Sequence, residues 1–508
     1  MLILSLHLPV TSPRARDDFP SRSIVESSAL TEVSPIVIDA LGGGDYTWEE
    51  ATSQPWCTGS GTSSDPYVIQ GISVDAGGQG SGITIRHSRD AHFIIKDSKL
   101  SQSGGGTSDA GIKFVNASKG TVEGCNLTSN ANDGIYLERS GENLIRNCEV
   151  TENSVHGIRL YLSEKNGINR NILDHNDIYG IFLRESHENV LYNNSVAFCD
   201  DQGVGIFLGD STKNEIRKNT ARNNSHDGIW LRNADDNVLE QNTLRFNGKY
   251  GIVTFGSSKN VITGNKAIEN LKTGIAVSRG SRNLIKGNNA SNNDEAGLLL
   301  INVALNNTCF NNTARENGMF GIHVEGTCEH NLLYHNALLD NAINGRDDGN
   351  ANAWDEGAIG NYWGDYEGTD EDGDGIGEVS YNVSGSAHSQ DDHPLIFNAA
   401  SHEGGWEAWS EGNRGEGKDD EEDGSTLGAL SFSSPLTVSL VVGGSIVGAA
   451  SILLFIFYKK GMINFTILGG AKKKERTSEI RKRESEELAS ARASHEHSRS
   501  LTHEGGEK

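Results

Sequence analysis

Methionine is almost missing from this sequence: Met1, Met319 and Met462 are the only three in 508 residues. Six cysteines are present, but none forms a CxxC pair. These absences remove Met-rich soft-metal sites and zinc knuckles from consideration. Basic residues are in deficit as well, with 44 Lys and Arg against 69 Asp and Glu, a net charge of −25. That deficit argues against nucleic acid and anionic membrane surfaces as partners. It suits divalent cations or a saline exterior. Leucine is sparse in the central region, and no unit there has helical spacing, which excludes a leucine-rich repeat.

What is present is a rhythm. Glycine followed by Ile or Leu returns at Gly82, Gly111, Gly134, Gly157, Gly180, Gly205, Gly228, Gly251, Gly274, Gly297 and Gly321, mostly 23 residues apart. A sustained period of this size marks a stacked-repeat protein. Nine places after eight of these glycines stands asparagine, as at Asn143, Asn166, Asn189, Asn214, Asn237 and Asn306. Fourteen places on come Asn171, Asn194, Asn219, Asn242 and Asn311, with Cys125 and Cys148 in the earlier coils. Nineteen places on come Asn130, Asn153, Asn176, Asn224 and Asn247, interrupted once by Cys199. Apolar residues hold the first and third places, as in Ile135 and Leu137 or Ile229 and Leu231. That alternation is the period-2 mark of a strand with one buried face. Asparagine tolerates the left-handed backbone region and can bend the chain between strands. Stacked on itself, its amide can also bond to the copies above and below.

The fold class expected is all-β, a right-handed parallel β-helix with three short strands per coil and about 11 coils. At about 4.8 Å per coil this makes a rod of roughly 50 Å. Cys125 and Cys148 read as stacked buried thiols standing in for Asn, with a disulfide as the alternative.

The units GIYLERSGENLIRNCEVTENSVH and GIWLRNADDNVLEQNTLRFNGKY resemble the right-handed β-helix repeats of NosD-type and pectin-lyase-like proteins. The flanking segments YTWEEATSQPWCTGSGTSSDPYVIQGISV and GNYWGDYEGTDEDGDGIGEVSYNVSGSAHSQDDHPLIF resemble those of archaeal surface members of that group. The resemblance spans about residues 45–397 and implies a fold and a cell-surface setting. It implies no single activity, because such helices host lyases, hydrolases, epimerases and binding proteins. Copper handling, which the NosD likeness also implies, finds few soft donors here.

The boundaries expected are a leader at 1–35, an N-terminal cap at 36–80, repeats at 81–345 and a C-terminal cap at 346–398. An acidic Gly-rich linker follows at 399–435, then 436–458, then a charged tail at 459–508. LTVSLVVGGSIVGAASILLFIFY carries no charge over 23 residues, enough to span a bilayer. Lysines follow it at once, so the tail reads as cytoplasmic and the β-helix as extracellular. MLILSLHLPV lacks a basic n-region and reads as a degenerate or truncated signal.

Three groups are candidate sites. Asp370, Asp372 and Asp374 with Gly375 match the start of a calcium loop, with the Ile376 carbonyl and Glu378 as further ligands; Tyr381 stands where the last carboxylate belongs. Calcium there would be structural. Glu185 and Asp210, five places after their glycines in adjacent coils, are candidate catalytic carboxylates at a retaining-glycosidase spacing of about 5 Å. Finally, the second and fourth places point outward, which puts Tyr136, Arg159, Tyr161, Phe182, Arg184, Phe207, Trp230, Arg232 and Phe255 on one outer strip. Aromatic planes with interleaved arginines suit sugar rings and their carboxylates. The insertions at 101–110 and 200–204 precede the same strand, as at the rim of a solenoid binding face. The function expected is a membrane-anchored surface protein binding carbohydrate or cell-envelope glycan. The alternatives are a polysaccharide lyase or glycoside hydrolase acting on acidic glycans, and a structural protein self-associating along the aromatic strip.

Overall fold

The computed structural model describes residues 30–200 and 202–396. The linker at 399–435, the apolar span at 436–458, the tail, and residues 1–29 of the leader lie outside the described residues. Among the described residues no helix is long and apolar enough to cross a membrane.

Three stacks of strands, parallel except for the antiparallel first pair of the second sheet, build a β-solenoid. The first sheet has 13 strands, from Ile36–Asp39 to Ile343–Asp347. The second also has 13, from Cys57–Thr58 to Leu332–Tyr334. The third has 10, from Thr31–Glu32 to Lys266–Ile268, and three further strands form a separate small sheet over the last coils. There are thus about 13 turns rather than 11. The glycine count missed both ends, where Ile36 and Ile343 enter the first sheet without the Gly-Ile signature.

The inward places are as the period implies. Ile135, Leu137, Ile145 and Val150 have no exposed surface, and neither do their equivalents Ile229, Leu231, Leu239 and Leu244. In the coils between these ends glycine stands at the start of the first-sheet strand, because the next coil leaves no room for a side chain. A Cβ on Gly180 would lie 2.1 Å from Val196 Cγ1 and 2.8 Å from the Gly205 carbonyl oxygen.

Each asparagine stack is a buried ladder. Asn237 Oδ1 accepts from the backbone N–H of Asn214 (2.8 Å) and from Asn214 Nδ2 (3.0 Å). Its own Nδ2 donates to the carbonyls of Ser211 and Asp235 at 3.0 Å and to Asn260 Oδ1 at 3.2 Å. Every buried polar atom of the amide is therefore satisfied, the condition for burying it at all.

Two expectations about the corners change. The left-handed residue is the one before the ladder asparagine: Lys213, Lys218 and Asn223 have φ of +58°, +54° and +54°. Corner bending and ladder bonding are therefore separate tasks of adjacent residues. Beyond Gly297 the ladder also slips by one place. Asn307 and Asn312 occupy it, while Asn306 and Asn311 take the left-handed corner. The extra residue sits at Asn302–Val303, both left-handed.

The two cysteines stand in for Asn as free thiols. Cys125 Sγ approaches the Glu123 carbonyl at 3.4 Å and Cys148 Sγ the Arg146 carbonyl at 3.3 Å.

All three ladders end on an aspartate in the C-terminal cap. Asn331 leads through Asn352 to Asp347, Asn336 through Asn361 to Asp391, and Asn341 through Asn344 to Asp365. A carboxylate with no donor of its own is the natural terminus of a chain of donors running one way.

Asp348, beside the first of these, receives Arg346 Nε at 2.6 Å and Nη2 at 3.2 Å, the Ser386 backbone N–H at 2.9 Å and His323 Nε2 at 3.4 Å. The Arg346 guanidinium, then those smaller contacts, hold its carboxyl far below the usual carboxylate range against the effect of burial. A depressed folded-state value stabilises the fold above the unfolded-state pKa of about 4 and is lost as pH falls below it. Melting of the cap should therefore shift downward in acid below about pH 4. Asp348→Asn should flatten that acid limb; identical acid limbs for the two proteins would refute the assignment.

Candidate functional site

The outer strip runs along the first sheet, and its register is the one the repeat implies. Tyr136 pairs with Arg159, Arg159 with Phe182, Phe182 with Phe207 and Phe207 with Trp230. Beside this row run Glu138, Tyr161, Arg184, Gly209, Arg232 and Phe255.

Exposure is where the expectation fails. Tyr136, Phe182, Arg184 and Phe207 are only 3–7% exposed, although they point away from the core. Two things cover them. The insertion at 101–110 folds over the first coils: Thr107 accepts a hydrogen bond from Arg159 Nη1 (3.0 Å), and Lys113 Nζ reaches Ser108 Oγ (2.9 Å). The residues preceding the glycines pack against the strip from the side. Phe182 stacks on His156 at 4.7 Å and on Tyr179 at 5.2 Å, and Phe207 on Phe182 at 5.3 Å. Phe182, Val204 and Phe207 thus form a second small core outside the barrel, with Tyr179 and Trp230 packed on its edge. Tyr161, Trp230, Arg232 and Phe255 remain partly exposed, whereas the Arg159 side chain is largely covered.

Sequence reasoning did not single out Asp133, His156, Tyr179 or Lys113. Their signal was the place just before the glycine, or the strip's first row extended one coil back. Arg159 lies 4.8 Å over the Tyr136 ring and 3.7 Å from buried Asp133. Burial pushes the Tyr136 phenol far up and the Lys113 amine down.

Glu185 and Asp210 occupy equivalent left-handed corners after adjacent strands, with φ of +47° and +49°. Their carboxylates are engaged apart from each other. Glu185 lies 3.7 Å from Arg184 Nε, and Asp210 accepts from Asn233 Nδ2 at 3.3 Å on the following coil. The three aspartates of the acidic loop do converge: their carboxylate oxygens lie within 4.8 Å of one another. Glu378 is not part of that group.

A family model described as periplasmic copper-binding protein (NosD) matches residues 60–226, 198–266 and 221–368, together more than half of the chain. The chain belongs to the NosD family. No curated protein matches it in sequence. Its structural neighbours include the A-module of a mannuronan C-5 epimerase from Azotobacter vinelandii, at 14% identity and a TM-score of 0.42 over 57% of this chain and 89% of that one. A mutant of the periplasmic alginate epimerase AlgG gives 15% identity and 0.40 over 54% and 85%. The Dettilon tailspike protein gives 19% identity and 0.36 over 56% and 59%.

The described residues of this NosD-family chain do not fit copper. The one close group of candidate ligands among the described residues is the three aspartates, which are hard oxygen donors suited to calcium or magnesium. All six cysteines are buried, and burial pushes the Cys57 thiol to about 11 and the Cys309 thiol to about 12. A metal needs the thiolate.

Proposed function

We propose that the protein binds acidic polysaccharide along the outer edge of the first sheet, on the cell exterior, anchored through residues 436–458. The observation that carries the reading is the partly exposed group of Trp230 and Arg232 on one coil and Phe255 on the next, with Tyr161 on the same face three coils before Arg232. Aromatic rings rising coil by coil offer faces to sugar rings, and arginine offers a planar fork to their carboxylates. The closed part of the strip stiffens this edge, so little side-chain entropy remains to be lost on binding. Removing residues 436–458 should release the protein from the membrane fraction.

A Tyr161→Ala, Trp230→Ala double variant should lose at least about tenfold in affinity for polygalacturonate or alginate, roughly 1.4 kcal/mol, with its mass in solution unchanged. A fall from dimer to monomer would instead assign these rings to self-association. Unchanged affinity and mass would remove the face from consideration.

The same reading places calcium at Asp370, Asp372 and Asp374, a structural ion beside the last coils. What supports it is the convergence of three carboxylates on an exposed loop, where a divalent cation relieves their repulsion. Calcium should then raise the melting temperature by mass action, and Asp372→Ala should abolish the rise. A melt that is the same in calcium and in chelator would rule the ion out.

A further inference from the structure

Just beyond the second insertion, where the strip opens, a set of polar residues faces outward on the turn leading into the first sheet. His226 Nδ1 lies 2.7 Å from Asp227 Oδ2, and Asp227 is only 1% exposed. The other Asp227 oxygen accepts the backbone N–H of Tyr250 at 3.1 Å, so the carboxylate is held at both ends. His226 Nε2 lies 2.5 Å from Lys249 Nζ. A lysine ammonium has donors only, so Nε2 must be the acceptor in this contact and Nδ1 must carry the proton, beside the Asp227 carboxylate. The imidazole is thus fixed in the tautomer of a general base, its lone pair capped by a cation from the next coil. Trp230 lies nearly parallel to the imidazole at 6.0 Å, and Trp230, Lys249 and Tyr250 are all half-exposed.

We propose that His226 is a general base for removal of the proton beside a uronate carboxylate, uncovered when that carboxylate draws Lys249 away from Nε2. The inference rests on the acidic-glycan reading above and adds a reaction to it. Lys249, paired with the substrate carboxylate, stabilises the charge that develops there as the neighbouring C–H bond breaks. The proton goes to Nε2, and the electron pair enters a new carbon–carbon double bond as the glycosidic C4–O bond breaks. The departing oxygen takes its proton from solvent, and the imidazolium returns its proton to solvent. No oxidant or co-reactant is required. Asp227 holds the imidazole and stabilises its cation, the role of a buried carboxylate behind a catalytic histidine. It acts through His226 and is a positioning residue. Glu185 and Asp210 take no part.

The test incubates the full chain with polygalacturonate and with alginate in deuterated buffer. Two signals are followed: deuterium at the carbon beside the carboxylate, by NMR, and the ultraviolet absorbance of unsaturated uronide. Wild type should show one or both, since exchange reports proton removal even where the C–O bond survives. His226→Gln should fall by about 100-fold or more, the usual contribution of a general base. Lys249→Met should raise KM as well as lower kcat. Asp227→Asn, which turns the imidazole to the wrong tautomer, should lower kcat with little change in KM. Glycan binding without exchange or elimination overturns the inference and leaves the binding reading standing, and so does a His226→Gln variant with full rate. Failure to bind any uronate glycan overturns both.

Discussion

Replacing Asn237 with alanine should cost about 2–4 kcal/mol of stability, seen as a lower denaturant midpoint, because it strands two buried groups at once. The backbone N–H of Asn214 loses its acceptor and the Ser211 carbonyl loses its donor, while Asn214 Nδ2 keeps the Ser186 and Thr212 carbonyls. No water can reach them, since Asn214 and Asn237 have no exposed surface. The neighbour on the chain should respond in the opposite direction. Asp236 has φ of +57°, a conformation glycine adopts without strain, so Asp236→Gly should be neutral or stabilising. If the two variants melt alike, the ladder does not carry the stability assigned to it.

Replacing Asp391 with alanine should unfasten the end of the solenoid. Asp391 has no exposed surface and accepts from the Asn361 N–H at 2.6 Å, Trp363 Nε1 at 2.8 Å and the His393 N–H at 3.1 Å. Burial pushes its carboxyl up, and these donors only partly offset that. Removing it leaves Asn361 and the Trp363 indole with buried, unanswered donors, at a cost of about 3 kcal/mol or more. It also frees a parallel edge that the cap now covers. The loss should be local: amide exchange should accelerate over the last coils, roughly beyond residue 330, while the central coils keep their protection. Uniform acceleration along the whole rod would show that Asp391 is not an end fastener. Asp391→Asn should be milder, because it keeps an acceptor oxygen, and it should still be weaker than wild type because its amide hydrogens face existing donors.

The 23-residue period was enough to place Ile135, Leu137, Ile145 and Val150 in the core and to align Tyr136, Arg159, Phe182, Phe207 and Trp230 in one row. Both follow from repetition: once one coil is assigned, parallel pairing carries the assignment to the next. The ladder at Asn307 and Asn312 was not legible, because an asparagine also stands one place earlier in each case. Only the left-handed backbone at Asn302 and Val303 shows where the 24-residue coil keeps its extra residue. Glu185 and Asp210 were legible as neighbours but not as separately engaged side chains, since their partners Arg184 and Asn233 could be read only from corner geometry.

What the sequence by itself determined is therefore the coil: its period, its inward residues and the stacking of its asparagines, all of which repeat locally. Tertiary structure alone decided which outward residues meet solvent. The strip's first half is closed by Thr107 and Ser108, from an insertion more than 25 residues away from Tyr136, and by His156 and Tyr179 leaning in from the first places of their strands. It likewise brought Lys249 onto His226 from the next coil and set an aspartate at the end of each ladder. Alternation along a strand fixes the side of the sheet a residue faces, but whether anything covers it depends on contacts between segments that no local period encodes.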